Sequence, residues 1–397
     1  MLDFNYNNRS EIIFGKNSLT KIPSILKKHQ VKSLLLIYSG DFIKYLGIWG
    51  FIKESCESLN INFSSCGKVV PNPKIELVRD LVNLGKEKSV DFIIAVGGGS
   101  SIDTAKAVSI GINYDGDVWD FFDKGIIPQS SVPVGAITTL PASGSETSNA
   151  SIISNGLLKK GFENDMIIPK FAIMNPSYTL GLPSYQTSCG CADILSHLLE
   201  RYFTNEKHVD TTDYLIEGAI KALMLNAQRL MDNPQNYDAR AEIQWLASIS
   251  HSGILDTGRM ACWGSHRIEH ELSAQYNITH GEGMAIVFPA WCIYMADKNP
   301  EKLAQLANRV FNVDYNNYTQ KEMAIILSNK LKDFFKSLKL ATSLKELDIT
   351  SKDFETMAKR ATSDSEYVGH YLPLYSNDIV NILVLCQIVL MKKYHII

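Results

Sequence analysis

No stretch of this 397-residue sequence is apolar over the ~20 residues that a bilayer crossing needs. The most apolar run, IVNILVLCQIVLM near the C-terminus, is thirteen residues long and contains Asn381 and Gln387. It reads as a buried helix, and no membrane partner is expected. Cysteine is scarce: there are seven, an odd number, and the closest pair, Cys189 and Cys191, lacks the CxxC spacing. That argues against a disulfide framework and leaves reduced, packed thiols. The opening MLDFNYNNRSEIIFGKNS has neither the basic nor the apolar segment of a secretion signal, so a cytoplasmic location is expected. There is no excess of positive charge either. The 39 Lys and Arg against 42 Asp and Glu give a formal charge of −3, with no long basic run to bind nucleic acid. No internal repeat or low-complexity segment is evident.

What is present is an ordinary globular composition, 45% hydrophobic and 20% charged. A single core stops growing at roughly 250–300 residues, so this length predicts two domains. The first half alternates short β-rich runs with helical stretches. KSLLLIYSG is followed by a helix from about Phe42 to Leu59, then by NINFSSCGKVV and a helix near Ile75 to Lys88. VDFIIAVGGG is apolar nearly throughout, as a strand buried on both faces of a parallel sheet must be, and VPVGAITTLP and FAIMNP continue the series. After Tyr178 the strand signals stop, and Pro183 marks the change. SYQTSCGCADILSHLLERYF, TTDYLIEGAIKALMLNAQRLMDN and a long run from Ala239 to Gln275 read as helices, and Thr319 with Glu322 has capping-box spacing. The expected organisation is an α/β domain over residues 1–183 and an all-α domain over 184–397.

Gly97-Gly98-Gly99-Ser100 lies between a buried strand and a helix, where bare backbone N–H groups and the positive helix end can hold a pyrophosphate. The same composition also suits a tight turn with a serine cap. Asp103, three residues on, fits a capping carboxylate. The segment lies nearly a hundred residues into the chain and is not GxGxxG, which implies a dinucleotide fold other than the Rossmann type. Asp41, after the strand KSLLLIYSG, can accept hydrogen bonds from adenosine ribose hydroxyls and repel an added 2′-phosphate; a solvated loop acid is the alternative.

In CADILSHLLERYF, Asp193 and His197 are four apart and share a helix face. The stretch GSHRIEHELSAQYNITHGEG adds His266, His270 and His280, a high local density for a chain with nine histidines. If Asp193, His197, His266 and His280 converge, they make a three-nitrogen, one-oxygen site suited to Fe²⁺ or Zn²⁺. Such an ion can polarise an aldehyde carbonyl or lower the pKa of a bound alcohol. His270 is then a ligand, a proton relay or a core histidine.

Taken together, FNYNNRSEIIFGKNS, PNPKIELV, AVGGGSSIDTAKA, TTLPASGSETSNA, CADILSHLLERYF and EHELSAQYNITHGEGMAIVFPAW span most of the chain. They resemble the iron-dependent (group III) alcohol dehydrogenases, most closely their butanol dehydrogenase branch. The resemblance implies an α/β NAD-binding domain, an all-helical metal-binding domain and a cleft between them, the architecture shared with dehydroquinate synthase. It implies Asp193, His197, His266 and His280 as ligands and His270 as a non-ligand histidine passing a proton toward the alkoxide or ribose chain. Gly98, Gly99 and Ser100 match the pyrophosphate loop, and Thr138, Thr139 and Leu140 the strand end on the adenosine side. Ser143, Thr147 and Asn149 lie toward the nicotinamide. Asn72 and Lys159 match cofactor-side positions, with Lys160 the alternative register.

Where NADP-tolerant relatives carry YGGGS, this chain has YSGDF, which puts Asp41 where a 2′-phosphate would lie. The expectation is NADH in preference to NADPH, by tens-fold or more if the carboxylate is partly buried, a cost of a few kcal/mol. The implied reaction is reversible hydride transfer between NAD(H) and a metal-bound small or medium-chain primary alcohol or aldehyde. Reduction of a linear aldehyde such as butanal is the expected direction. A glycerol dehydrogenase-like polyol oxidoreductase and a dehydroquinate synthase-like lyase are the rivals on this fold, and a non-catalytic nucleotide- or metal-binding protein is the rival outside it. The resemblance also implies a homodimer, in which the N-terminal segment FNYNN could pair as a strand across the interface.

Overall fold

The computed structural model describes residues 1–387. Eight strands form: β1 Glu11–Phe14, β2 Ser33–Tyr38, β3 Asn62–Cys66, β4 Phe92–Gly97, β5 Val134–Thr138, β6 Ala150–Asn155, β7 Leu158–Glu163 and β8 Phe171–Met174. Six of them build one parallel sheet in the order β1-β8-β5-β4-β2-β3. β2, β4, β5 and β8 are buried at every position. Alternate residues explain why they lack a polar face. Leu35, Ile37, Ile93, Ala95 and Ala136 join one core with the helices Ile75–Glu87 and Gly99–Gly111. Leu34, Leu36, Ile94, Val96 and Ile137 join a second core with the helices Ile22–Lys28 and Ile48–Ser58. Helices thus cover both faces. From β2 the chain adds β3 on one side, then returns past β2 to add β4 and β5 on the other. The order therefore reverses between β2 and β4, and ligands of such sheets bind outside the carboxyl ends of the strands at that reversal.

The structure departs from the sequence reading in several places. The helix expected over 42–59 is two, Phe42–Tyr45 and Ile48–Ser58, because Gly47 takes a left-handed φ of 73° between them. The run expected from Ala239 to Gln275 breaks into Tyr237–His251, a short turn and Gly264–Tyr276, with Gly253 and Gly258 at positive φ. β6 and β7 form an unforeseen antiparallel hairpin, closed by Gly156 at φ 58° and Leu157. Residues 1–9 form no strand within the single chain. The expected C-terminal helix is present as Ser376–Gln387; residues 388–391 of that run lie outside the described residues.

The chain divides into two compact units. The α/β unit is Asn7–Leu182 plus Ala247–Ser252; the helical unit is Met1–Tyr6, Pro183–Leu246 and the chain from Gly253. The excursions from a single break at 183 have local causes. Leu2 N–H donates to Gly258 O, and the Met1 amino group to Lys207 O, which fastens the first residues to helical segments. Ser248 Oγ donates to Glu146 Oε1 at 2.5 Å, and Ser248 O accepts from Thr147 Oγ1, which fastens 247–252 to the α/β unit. Within the helical unit, His280–Ala296 is buried around nearly its whole circumference, the mark of a central helix. No described helix is long and apolar enough to cross a membrane.

Candidate metal centre and dinucleotide edge

Three helices of the helical unit supply the imidazoles and carboxylate. Asp193 and His197 lie one turn apart on Ser184–Tyr202, His266 and His270 one turn apart on Gly264–Tyr276, and His280 opens His280–Ala296. Asp193 Oδ1 is 3.4 Å from His197 Nε2 and 3.4 Å from His280 Nε2. One ligand atom each from Asp193, His266 and His280 lies within 4.8 Å of the others. The His197 and His266 rings are 4.7 Å apart between centroids. Asp193, His197 and His266 are buried, and the His280 side chain is 23% exposed.

Two carboxylates behind the histidines decide which nitrogen faces the cluster. Glu200 Oε1 accepts from the His266 backbone N–H at 3.0 Å and pairs with His266 Nδ1 at 2.9 Å. His266 Nε2, buried, has no hydrogen-bond partner among the described residues. Glu269 does the same for His280: its Oε2 pairs with His280 Nδ1, leaving Nε2 toward Asp193. Carboxylates in this position fix the tautomer and raise the basicity of metal-binding imidazoles. A buried nitrogen aimed at an aspartate and two further imidazoles, and lacking a partner, fits a divalent ion. A second grouping, Glu269, His270 and His280, is also close enough to share an ion. It is the weaker candidate, because both oxygens of Glu269 are engaged, one by His280 and the other by Ser273 Oγ. His270 stands beside the cluster, its ring 5.6 Å from that of His280. Burial pushes the thiols of Cys189 and Cys191 up to about 12. Glu200 and Glu269 were not picked out from the sequence, since their partners lie on another helix or eleven residues away. Glu200 does lie within the CADILSHLLERYF segment that carries Asp193 and His197.

In the α/β unit Asp41, Gly98, Gly99, Ser100, Thr138, Thr139 and Leu140 lie at or just beyond the carboxyl ends of β2, β4 and β5. Register sets Tyr38 beside Val96 and Gly97 beside Thr138, so Asp41, the glycine turn and Thr138-Thr139-Leu140 leave the sheet side by side. Thr139 N–H donates to Gly97 O. A Cβ on Gly98 would lie 3.3 Å from Leu140 Cβ, and one on Gly99 would fall 2.4 Å from Ser143 Oγ. The hydroxyls of Ser101 and Ser143 are buried without a hydrogen-bond partner among the described residues. With the first-turn N–H groups of Gly99–Gly111, this is a polar cradle suited to a phosphate. Gly98 caps that helix in place of Ser100, which sits in its first turn.

Asp103 proves not to be a cap. Its carboxylate accepts from Ser145 Oγ at 2.6 Å and Ile152 N–H at 3.2 Å, next to Lys106. Lys106 Nζ donates to Ser145 Oγ, Ser148 O and Ala150 O, which ties the helix to the 143–150 segment. Burial lowers its pKa to about 8. Thr147 Oγ1 donates to Gly144 O and Ser248 O, and Asn149 Nδ2 to Asp165 Oδ1. Asn72 adopts a left-handed φ of 52°. Lys160 pairs with Asp123 at 2.9 Å, whereas Lys159 is buried and bears electrostatically on Asp103. Asp41 corrects an expectation: its side chain is 69% exposed and pairs with Lys44 at 2.7 Å. Solvent and Lys44 both screen it, so any repulsion of a 2′-phosphate is smaller than a partly buried carboxylate would give.

The sequence matches the family described as iron-containing alcohol dehydrogenase over residues 9–176, and the C-terminal region of the Fe-containing alcohol dehydrogenase family over 187–385. It is 34% identical over 385 residues to a protein of Bacillus subtilis named probable NADH-dependent butanol dehydrogenase 1, covering 96% of this chain and 99% of that one. It is 29% identical over 365 residues to the NADPH-dependent aldehyde reductase YqhD of Escherichia coli, covering 91% and 93%. The crystal structure of NADH-dependent butanol dehydrogenase A from Thermotoga maritima superposes with a TM-score of 0.93 at 31% identity, covering 97% of this chain and 99% of that one. With both halves matched and full-length relatives above 30% identity, the chain belongs to the iron-containing alcohol dehydrogenase family.

Proposed function

We propose that the protein reduces small or medium-chain linear aldehydes, butanal among them, to primary alcohols with NADH, and runs the reverse oxidation. The observation that carries this reading is the convergence of Asp193, His266 and His280, with His266 Nε2 held open by Glu200. When bound, a divalent ion supplies Lewis acidity to a carbonyl or alkoxide oxygen, and the dinucleotide supplies or takes up the hydride. Asp193, His197, His266 and His280 hold that ion, with Fe²⁺ and Zn²⁺ both compatible with three imidazoles and a carboxylate. Glu200 and Glu269 orient His266 and His280. His270, half-buried beside His280, moves the proton to and from the alcohol oxygen or ribose chain. Gly98, Gly99 and Ser100 hold the pyrophosphate, Thr138, Thr139 and Leu140 the adenosine side, and Ser143, Thr147 and Asn149 the nicotinamide side. Asn72 and Lys159 complete the cofactor contacts; the engagement of Lys160 by Asp123 favours Lys159 over its neighbour. Asp41 sets a modest preference for NADH.

The decisive experiment pairs elemental analysis with an NADH-oxidation screen over C2 to C8 aldehydes, read at the nicotinamide absorbance band. Stoichiometric iron or zinc and sustained NADH loss with butanal are expected. A polyol oxidoreductase would instead prefer glycerol-like substrates, and a dehydroquinate synthase-like lyase would show no net NADH change. His280→Ala should lose both metal and turnover; turnover in a metal-free variant would overturn the mechanism. From family membership we also infer a cytoplasmic homodimer, for which light scattering should give about twice 44.3 kDa.

A further inference from the structure

Ten described residues other than glycine take a left-handed φ, and Trp263 is the bulkiest of them, at 58°. A bulky side chain in that region is an outlier whose cause lies in its surroundings. Cys262 N–H donates to the main-chain oxygen of Glu200 at 2.8 Å, and His266 N–H donates to the carboxylate of the same residue. Both ends of the step are thus pinned to Glu200, and the chain turns left-handed at Trp263 to span them. Glycine would take this backbone without steric cost. The tryptophan ring instead packs in a T-shaped arrangement with two imidazoles, His197 at 5.9 Å and 68° and His266 at 5.2 Å and 75°. Arg201, buried at 2% exposure, lies over the ring with Cζ 4.8 Å from its centroid, and its Nη1 donates to His197 O. Nε of Arg201 is held by Asp256 at 3.0 Å. Edge-to-face rings and a guanidinium over an indole are both attractive at these separations.

We propose that Trp263, clamped by Arg201, is a positioning residue that locks the His197 and His266 rings in the orientation a metal ion requires. The inference rests on the metal reading above and adds a group that binds no ligand itself. Glu200 fixes His266 through its Nδ1, whereas the indole fixes the tilt of both rings at once. Loss of that restraint should weaken ion binding on the scale of other outer-shell changes, about ten-fold.

The test uses the full chain loaded with Co²⁺, whose visible bands report ligand geometry, followed by chelator competition. Trp263→Leu should shed Co²⁺ about ten-fold faster than the parent with altered bands, while Trp263→Phe, which keeps a ring, should stay within about threefold with parent-like bands. Trp263→Gly relieves the left-handed step and removes the ring, and it should behave like the leucine variant. Far-UV circular dichroism confirms folding in each case. If the leucine and glycine variants hold Co²⁺ with the parent's rate and spectrum, this inference is wrong while the metal reading stands. A parent that takes up no Co²⁺ overturns the metal reading, and this inference with it.

Discussion

At the scale of single residues, the proposed cofactor preference rests on Asp41 and its neighbour Lys44. The carboxylate lies beyond β2, and on the proposed reading it faces the ribose hydroxyls, but Lys44 offsets part of its charge. Asp41→Gly removes the repulsion and releases Lys44, so catalytic efficiency with NADPH should rise several-fold relative to NADH. An unchanged ratio would show that discrimination lies elsewhere. Glu200 offers a second residue-scale test, since one of its oxygens serves both the backbone and the ring of His266. Glu200→Gln keeps the size but loses the charge that polarises the imidazole, and metal affinity should fall ten- to a hundred-fold. Metal titration of the refolded apoprotein gives the value; parent-like affinity would remove Glu200 from the site. The approach of Asp193, His266 and His280 was legible in the sequence from the Asp193–His197 helix spacing and the density of histidines, whereas the exposure of Asp41 was not. Glu200, Glu269 and Trp263 were not, since their meaning depends on contacts between segments that no local pattern encodes.

At the scale of elements, the buried strands were legible because a strand covered on both faces has no room for polar residues, as LLLIY and FIIAVG show. The helix start at Gln320 was legible from Thr319 and Glu322, whose two-way hydrogen bonds form the expected capping box. The hairpin of β6 and β7 was missed because LLKKGFE is too polar to read as a core strand, although Asn155-Gly156 was a usable turn signal. Asp103 was misread for a related reason: a cap can be guessed from spacing, but buried hydrogen bonds from Asp103 and Lys106 on one helix to the 145–152 segment cannot. Lys106→Met would strand Ser148 O and Ala150 O and leave Asp103 uncompensated, at about 3–5 kcal/mol of stability. The pH dependence has a definite sign. The lysine titrates near 8 when folded and near 10.5 when unfolded, so between those values the unfolded chain binds more protons. Stability of the parent relative to Lys106→Met should therefore rise across pH 8 to 10.5. Denaturant melts of both proteins across that window measure the difference, and a flat or falling curve would mean that the folded surroundings do not depress the Lys106 pKa.

At the scale of the whole molecule, the chain passes between the α/β and helical units four times, yet each candidate site is built inside one of them. Every proposed metal ligand, with Glu200 and Glu269, belongs to the helical unit, and every proposed cofactor contact belongs to the α/β unit. A site whose residues come from one core does not need the other site filled in order to exist. Chelation should therefore abolish aldehyde reduction while leaving NADH affinity within about twofold, because the glycine turn and its strand ends keep their shape. Fluorescence titration of NADH before and after metal removal measures this directly. Ligand linkage gives an independent check: NADH at 100 times its Kd should still stabilise the metal-free protein by about 2.7 kcal/mol, visible as a raised melting temperature. Loss of NADH binding together with the metal would contradict that independence and mean that the metal ligands also shape the dinucleotide edge. Retention of both binding and turnover after complete chelation would instead remove the metal from the chemistry and leave His270 and the dinucleotide to account for the reaction.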